Sequence, residues 1–192
     1  TLNITTNSNH NTGANITNNA GKTINWNDGN LDFTTGQTLT NNGVFNLIGS
    51  NLNNFACNMA IVNAGTLNKT AGTLTITQPL TNQAAGTVTI STGATLTFTS
   101  GVLTQSGIFT VNGTVSLNGS SHTFNTNFSG TGTLTIGATS TVTAASGFAP
   151  AVATVNHNST LNAGAGTALT IPAGTTWNWT GDFGTFTSIT ND

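Results

Sequence analysis

Glycine returns on a near-fixed beat in this chain. Gly21, Gly43, Gly65, Gly86 and Gly107 each open a short run of alternating apolar and polar residues, and their spacings are 22, 22, 21 and 21 residues. A period of this length marks a solenoid, in which one repeat cannot close a core alone and must stack on its neighbours. The two clearest repeats show how each is made. Gly86-Thr87-Val88-Thr89-Ile90 is followed by Gly93-Ala94-Thr95-Leu96-Thr97-Phe98 and then by Gly101-Val102-Leu103. The next reads Gly107-Ile108-Phe109-Thr110-Val111, then Gly113-Thr114-Val115-Ser116-Leu117, then Gly119. Each repeat is therefore three short strands divided by glycine corners. Alternation sends Val88, Ile90, Leu96, Phe98, Phe109, Val111, Val115 and Leu117 inward and leaves Thr and Ser outside. Glycine is expected at the corners for its access to positive φ, and Asn112 and Asn118, the next most tolerant residue type, each precede a corner glycine.

This pattern predicts an all-β chain folded as a right-handed parallel β-helix, a β-solenoid with three short strands per turn and about eight turns of 21–22 residues. Residues 1–192 read as one domain, with 1–20 an Asn-rich first turn or cap. Gly132 follows Gly107 by 25 residues, so a bulge or loop insertion is expected over 120–128. Counting on by the period reaches Ala153-Thr154-Val155-Asn156 and then Gly174-Thr175-Thr176-Trp177-Asn178-Trp179. Gly166-Thr167-Ala168-Leu169-Thr170-Ile171 fits the same template, so two registers stay open near the C-terminus.

Only 3% of the residues are charged, against roughly 25% in an average chain, so Thr, Asn, Ser and Gly must make the surface. The regular inward Val, Ile, Leu and Phe argue for order despite that composition. With Lys22 and Lys69 as the only basic residues there is no footprint for a phosphate backbone, and nucleic acid is not an expected partner. No run of 18 apolar residues occurs and the strands are shorter than a membrane barrel needs, so no membrane insertion is expected. The opening at Thr1, without Met or a basic-then-apolar leader, reads as a mature or excised chain, and an extracellular or cell-surface setting is the expectation. Cys57 has no partner for an intrachain disulfide. It shares inward parity with Phe55, Met59 and Ile61 and reads as a small core residue.

Catalysis in a β-helix, as in pectin lyases and polygalacturonases, would need clustered carboxylates or a carboxylate with a base. The chain offers Asp28, Asp32, Asp182 and Asp192 only. Asp28 reads as a turn residue and Asp32 as an outward strand residue between Leu31 and Phe33, so no catalytic residue is assigned and the chain is not expected to be an enzyme. His10, His122 and His157 lie on different turns without ligand-like spacing, so neither metal nor any other cofactor is expected. Trp26, Trp177 and Trp179 follow inward parity as core or end-plug residues, with an exposed aromatic platform as the other reading. Asn-x-Thr/Ser sequons are numerous in so Asn- and Thr-rich a chain and carry no inference here.

One surface feature is a candidate for binding. Thr73 and Thr75, Thr95 and Thr97, Thr114 and Ser116, Thr139 and Thr141, then Thr160 and Asn162 are expected to occupy equivalent outward positions and stack into a ladder. Such a face resembles the ice-binding side of antifreeze β-solenoids and would suit ice or a glycan surface. Candidate end-to-end contacts are Leu2 and Ile4 at one end and Phe186 and Ile189 at the other, since both segments read as further strands. Either the Asn-rich segment through Asn19 covers one end, or the chain stacks head to tail on another copy of itself or on neighbouring repeats; the second is favoured.

In Gly-Thr-Leu-Thr-Ile, Gly-Thr-Val-Thr-Ile and Gly-Ala-Thr-Leu-Thr-Phe, the sequence resembles repeats of large secreted bacterial β-helix proteins, such as filamentous-haemagglutinin-like adhesins and autotransporter passengers. The resemblance runs from about Gly21 to Trp179 and is one of repeat style. It implies an extracellular structural protein, a rigid rod acting as filament subunit or adhesin stalk. Surface binding through the Thr/Asn ladder is the alternative, and a polysaccharide-degrading enzyme the third.

Overall fold

Alternating β-branched and polar residues, cut every few positions by glycine, leave the backbone only short strands to form, and those strands need partners from other turns. A computed structural model of the chain describes residues 1–6, 9–33, 36–48, 59–163 and 167–192, with the side chains of Asn9, Asn11, Thr12, Asn30, Asp32, Phe33 and Ala163 outside the description. Among the described residues there is no helix, and every strand pairing is parallel. The chain is a parallel β-solenoid with three sides. Each turn runs from side I to side II to side III, as in Thr87–Ile90, Thr95–Phe98 and Leu103–Gln105.

Side III is the longest. Its nine strands, from Ile16–Asn18 at one end to Asp182–Phe183 at the other, delimit about eight turns, as the sequence period requires. Side I holds six strands, Leu2–Ile4 through Ile108–Val111, continues as isolated bridges from Thr110 to Ser129 and from Ser129 to Ala151, and in chain order resumes as the separate parallel pair Ala168–Ile171 and Ser188–Asn191, with Phe148 bridged to Leu169. Side II has six strands from Thr73–Ile76 to Thr176–Trp179. The pair Asn9–Thr12 and Asn30–Phe33 falls between sides I and III in chain order. The first three strands of the chain are Leu2–Ile4, Asn9–Thr12 and Ile16–Asn18.

The inward parity read from the sequence holds: Val88, Ile90, Leu96, Phe98, Phe109, Val111, Val115 and Leu117 are all buried. Equivalent residues stack, for example Leu74, Leu96, Val115, Leu134 and Val155 along side II. At about 1.5–3 kcal/mol per buried side chain, each turn contributes on the order of 10 kcal/mol before chain entropy opposes it. Stacking of turns, not closure of any one turn, makes the core.

Two expectations are corrected. The corner glycines Gly43, Gly65, Gly86 and Gly107 do not have positive φ; a Cβ on them would overlap carbonyl oxygens of Lys22, Gly43, Asn63 and Gly86 in the turn below. Close approach of stacked backbones, not left-handed geometry, demands glycine there, whereas Gly93 and Gly119 have φ of 78° and 76° and do serve as left-handed corners. The expected insertion over 120–128 is also absent, because Ser121–Phe124 is a regular side III strand. Gly132 leads into side II and corresponds to Gly113, since Thr114 pairs with Thr133. The apparent surplus came from comparing glycines that belong to different sides. Cys57 and Phe55 lie outside the described residues, while Met59 and Ile61 are buried as their parity requires.

Candidate functional site

The outer face of side II is where the expected ladder forms, with different members. One column stacks Thr73, Thr95, Thr114, Thr133, Thr154 and Thr176; the other stacks Thr75, Thr97, Ser116, Thr135, Asn156 and Asn178. Rungs repeat about every 4.8 Å and neighbours along a strand about every 6.7 Å, so the face is a two-column grid of hydroxyls and amides without a charge. Asn178 Nδ2 donates to Asn156 Oδ1 at 2.8 Å, fixing the last rungs of the second column.

Four of the sequence candidates are elsewhere. Thr141, Thr160 and Asn162 belong to side III, and Thr139 sits in the turn before Thr141–Ala144. The physical reason is a change of step. Thr95 pairs with Thr114 and Thr114 with Thr133, 19 residues each time, so a count by 21 drifts onto the next side. Side III carries its own outward column of Thr17, Thr40, Val62, Thr81, Thr104, Thr123, Thr143 and Asn162. Side I begins with an amide column in which Asn25 donates to Asn3, Asn46 to Asn25 and Asn68 to Asn46, at 2.8–2.9 Å.

The interior holds polar groups that alternation alone would give to the core. Lys69 stacks inward between Leu47 and Ile90 and is fully buried, and desolvation lowers its amine to about 8. His122 accepts the Leu103 N–H on Nδ1 at 3.1 Å, leaves Nε2 without a partner, and is pushed down to about 4 by burial. His157 lies at the inward end of its strand against Trp177 and Phe183, and burial lowers its pKa while the nearby Asp182 charge opposes the shift. His10, by contrast, bonds locally to Thr6. The three histidines stay apart, and among the described residues no three His, Cys, Asp or Glu side chains gather where they could hold a metal ion.

Sequence reasoning missed the most ordered polar element of the molecule. At the corner between sides III and I, Asn18 donates to Asn41, Asn41 to Asn63, Asn63 to Asn82 and Asn82 to Gln105, at 2.7–2.9 Å. The first four amides give their second hydrogen to a backbone carbonyl: Val44, Thr66, Thr87 and Ile108, each the first residue of a side I strand. Gln105 closes the series on Gly107 O and Thr126 Oγ1. All five side chains are buried. The carbonyl contacts fix which end of each amide is nitrogen, because a carbonyl oxygen only accepts. A signal existed in Asn41-Asn42-Gly43, Asn63-Ala64-Gly65 and Gln105-Ser106-Gly107, where the amide stands two before the corner glycine.

Among the described side chains no two carboxylates form a pair. Asp28 Oδ1 accepts the N–H of Gly29 at 2.8 Å within its own turn, and the Asp32 side chain lies outside the described residues. Trp26 is fully buried and donates to the carbonyls of Asp28 and Gly29. Trp179 is 57% exposed, with Phe183 against it at 4.2 Å between ring centroids, so the C-terminal turn is an aromatic plug that is partly uncovered. Of the proposed end residues, Leu2 and Ile189 are exposed, Ile4 is buried and Phe186 packs edge-on against Phe183. No helix among the described residues is long and apolar enough to cross a membrane. No known protein family, curated protein or solved structure matches this chain.

Proposed function

We propose that this chain is a stiff, non-catalytic segment of an extracellular rod, of the kind that serves as an adhesin stalk or filament subunit and is extended through its ends. The observation that carries this reading is side III, whose nine parallel strands run from one end of the described chain to the other while nearly every inward position is spent on the core. Such a stack resists bending because each strand is hydrogen-bonded on both edges except at the two ends. A surface almost without charge presents little repulsion to extension. Electron microscopy of the purified protein should show straight rods one solenoid wide, with a unit of roughly 40 Å for eight turns at the sheet spacing. Flexible or globular particles would contradict the rod.

The second reading is a surface-binding module, favoured by the unbroken column of six threonines on side II. A hydroxyl grid of fixed spacing suits a periodic partner, whether glycan chains in an ordered wall or ice. Thr95→Tyr with Thr97→Tyr should then abolish retention on insoluble polysaccharide or ice-recrystallisation inhibition. If the wild-type protein has neither activity, the stalk reading stands alone.

A further inference from the structure

The buried amide series has a direction, and it leaves its N-terminal end unfinished. Each Nδ2 points to the turn above and each Oδ1 receives from the turn below. Asn18 has spent both hydrogens, on Asn41 Oδ1 and Val44 O, and among the described residues no donor reaches its own Oδ1, which faces the open end of the stack. The outer column of side I runs the opposite way, so Asn3 accepts from Asn25 and its own amide hydrogens have no acceptor among the described residues. Beside these groups, Leu2, Ile16, Asn18 and Ile24 line an open groove of about 270 Å³, and Leu2 is 51% exposed. Leu2–Ile4 and Ile16–Asn18 are the edge strands of sides I and III.

We infer that this end is a docking surface for one kind of partner: a parallel β-coil that presents Asn or Gln at the corner and aliphatic side chains inward, a neighbouring repeat of the amide type. Its corner amide would donate to Asn18 Oδ1. By the rule the chain follows at Val44, Thr66, Thr87 and Ile108, its second hydrogen would fall on the carbonyl of Thr23, which stacks beneath Val44. An acceptor on its outer face would take the free hydrogens of Asn3. The C-terminal end of a second copy does not supply this chemistry. Past Gln105 the corner column becomes Phe124 and Ala144, and the last turn offers the rings of Trp177, Trp179, Phe183 and Phe186. Extension at the N-terminal end is therefore heterologous. The inference rests on the rod reading only for its purpose, since the hydrogen-bond polarity stands without it.

The test is a graft of the chain's own amide coil. Residues 65–86 carry Asn68 outward, Asn82 at the corner and Leu67, Leu74 and Leu80 inward, and they end where Thr87 begins side I. Leu2 stacks in the column of Val88, so the graft is placed directly before Thr1 in register. The graft should raise the thermal midpoint by several degrees and slow hydrogen exchange at Leu2–Ile4 and Ile16–Asn18 by tenfold or more. The same graft carrying Asn82→Leu should lose most of both gains. Equal gains from both grafts, or unchanged exchange at those strands, would overturn the proposal. Sedimentation of the ungrafted chain gives a separate reading: a head-to-tail dimer that the graft blocks would show that the chain's own C-terminal end does fit. Failure of the rod reading would instead appear in microscopy and leave these results untouched.

Discussion

The two halves of the solenoid turn the same corner by different chemistry. From Asn18 to Gln105 the passage from side III to side I is lined by stacked amides; from Phe124 onward it is lined by rings and small apolar residues. Phe124 meets Phe128 at 4.8 Å and Phe148 at 5.6 Å, and Phe128 meets Phe109 at 5.0 Å. Side I changes at the same place. It is a regular six-stranded sheet where amides bond the first carbonyl of each strand from Val44 to Ile108, reduces to bridges at Ser129 and Ala151 where they first fail, and becomes regular again only in the pair Ala168–Ile171 and Ser188–Asn191. An amide ladder fixes position and direction, because each rung must meet both the next rung and a carbonyl. Apolar packing fills the corner equally well but leaves the backbone entering side I unspecified. The lesson is that burial supplies the cohesion of both halves, while the ladder supplies the register of one.

Breaking a rung should have the largest effect. Asn63→Asp removes the donors to Asn82 Oδ1 and Thr87 O and buries a carboxyl, so urea denaturation should show a loss of about 4 kcal/mol. Phe124→Ala in the other half empties the space between Phe128 and Phe148, and a cavity-type loss of about 3 kcal/mol is expected in the same measurement. That loss should fall to about half with Phe124→Leu, whereas Asn63→Leu should not be rescued by size.

Both halves should gain stability as pH rises, but in different windows. His122 and His157 sit in the ring-lined half with pKa values lowered by burial from the unfolded 6.5, His122 to about 4, so their contribution is complete above about 6.5 and is lost as pH falls below it. Thermal midpoints measured from pH 7 to pH 4 should fall, and His122→Leu should flatten the lower part of that curve. Lys69 lies in the amide half with its amine lowered to about 8 against 10.5, so the cost of burying its charge is relieved as pH rises from about 8 to about 10.5. Lys69→Met should remove that alkaline gain. The smallest effect is expected on the outer grid, where Thr95→Val should change stability by no more than about 0.5 kcal/mol.

What the sequence made legible was the part governed by strict alternation. Val88, Phe98 and Leu117 could be assigned inward from parity alone; Lys69, two after Leu67, and His122, two before Phe124, follow the same parity into the core, but the sequence reading did not place them there. The ladder was hidden because Asn is both a corner residue and a rung, and composition supplies it everywhere. Asn82 stands four before Gly86 and Asn18 three before Gly21, so the amide-to-glycine spacing that would reveal the series is not constant. Successive rungs are 23, 22, 19 and 23 residues apart, so a fixed count loses them too. The same elasticity moved the threonine grid to Thr133 and Thr154 in place of Thr139 and Thr160.

Residue-resolved hydrogen exchange on Asn63→Leu tests most directly whether the amide ladder sets side I. The account predicts that protection falls first at Thr66–Lys69 and Thr87–Ile90, the side I strands that the Asn41 and Asn63 amides anchor, while Thr95–Phe98 and Thr114–Leu117 on side II keep theirs. Uniform loss across all three sides, or protection of side I equal to wild type, would mean that the ladder is a passenger of the packing and not the device that sets it.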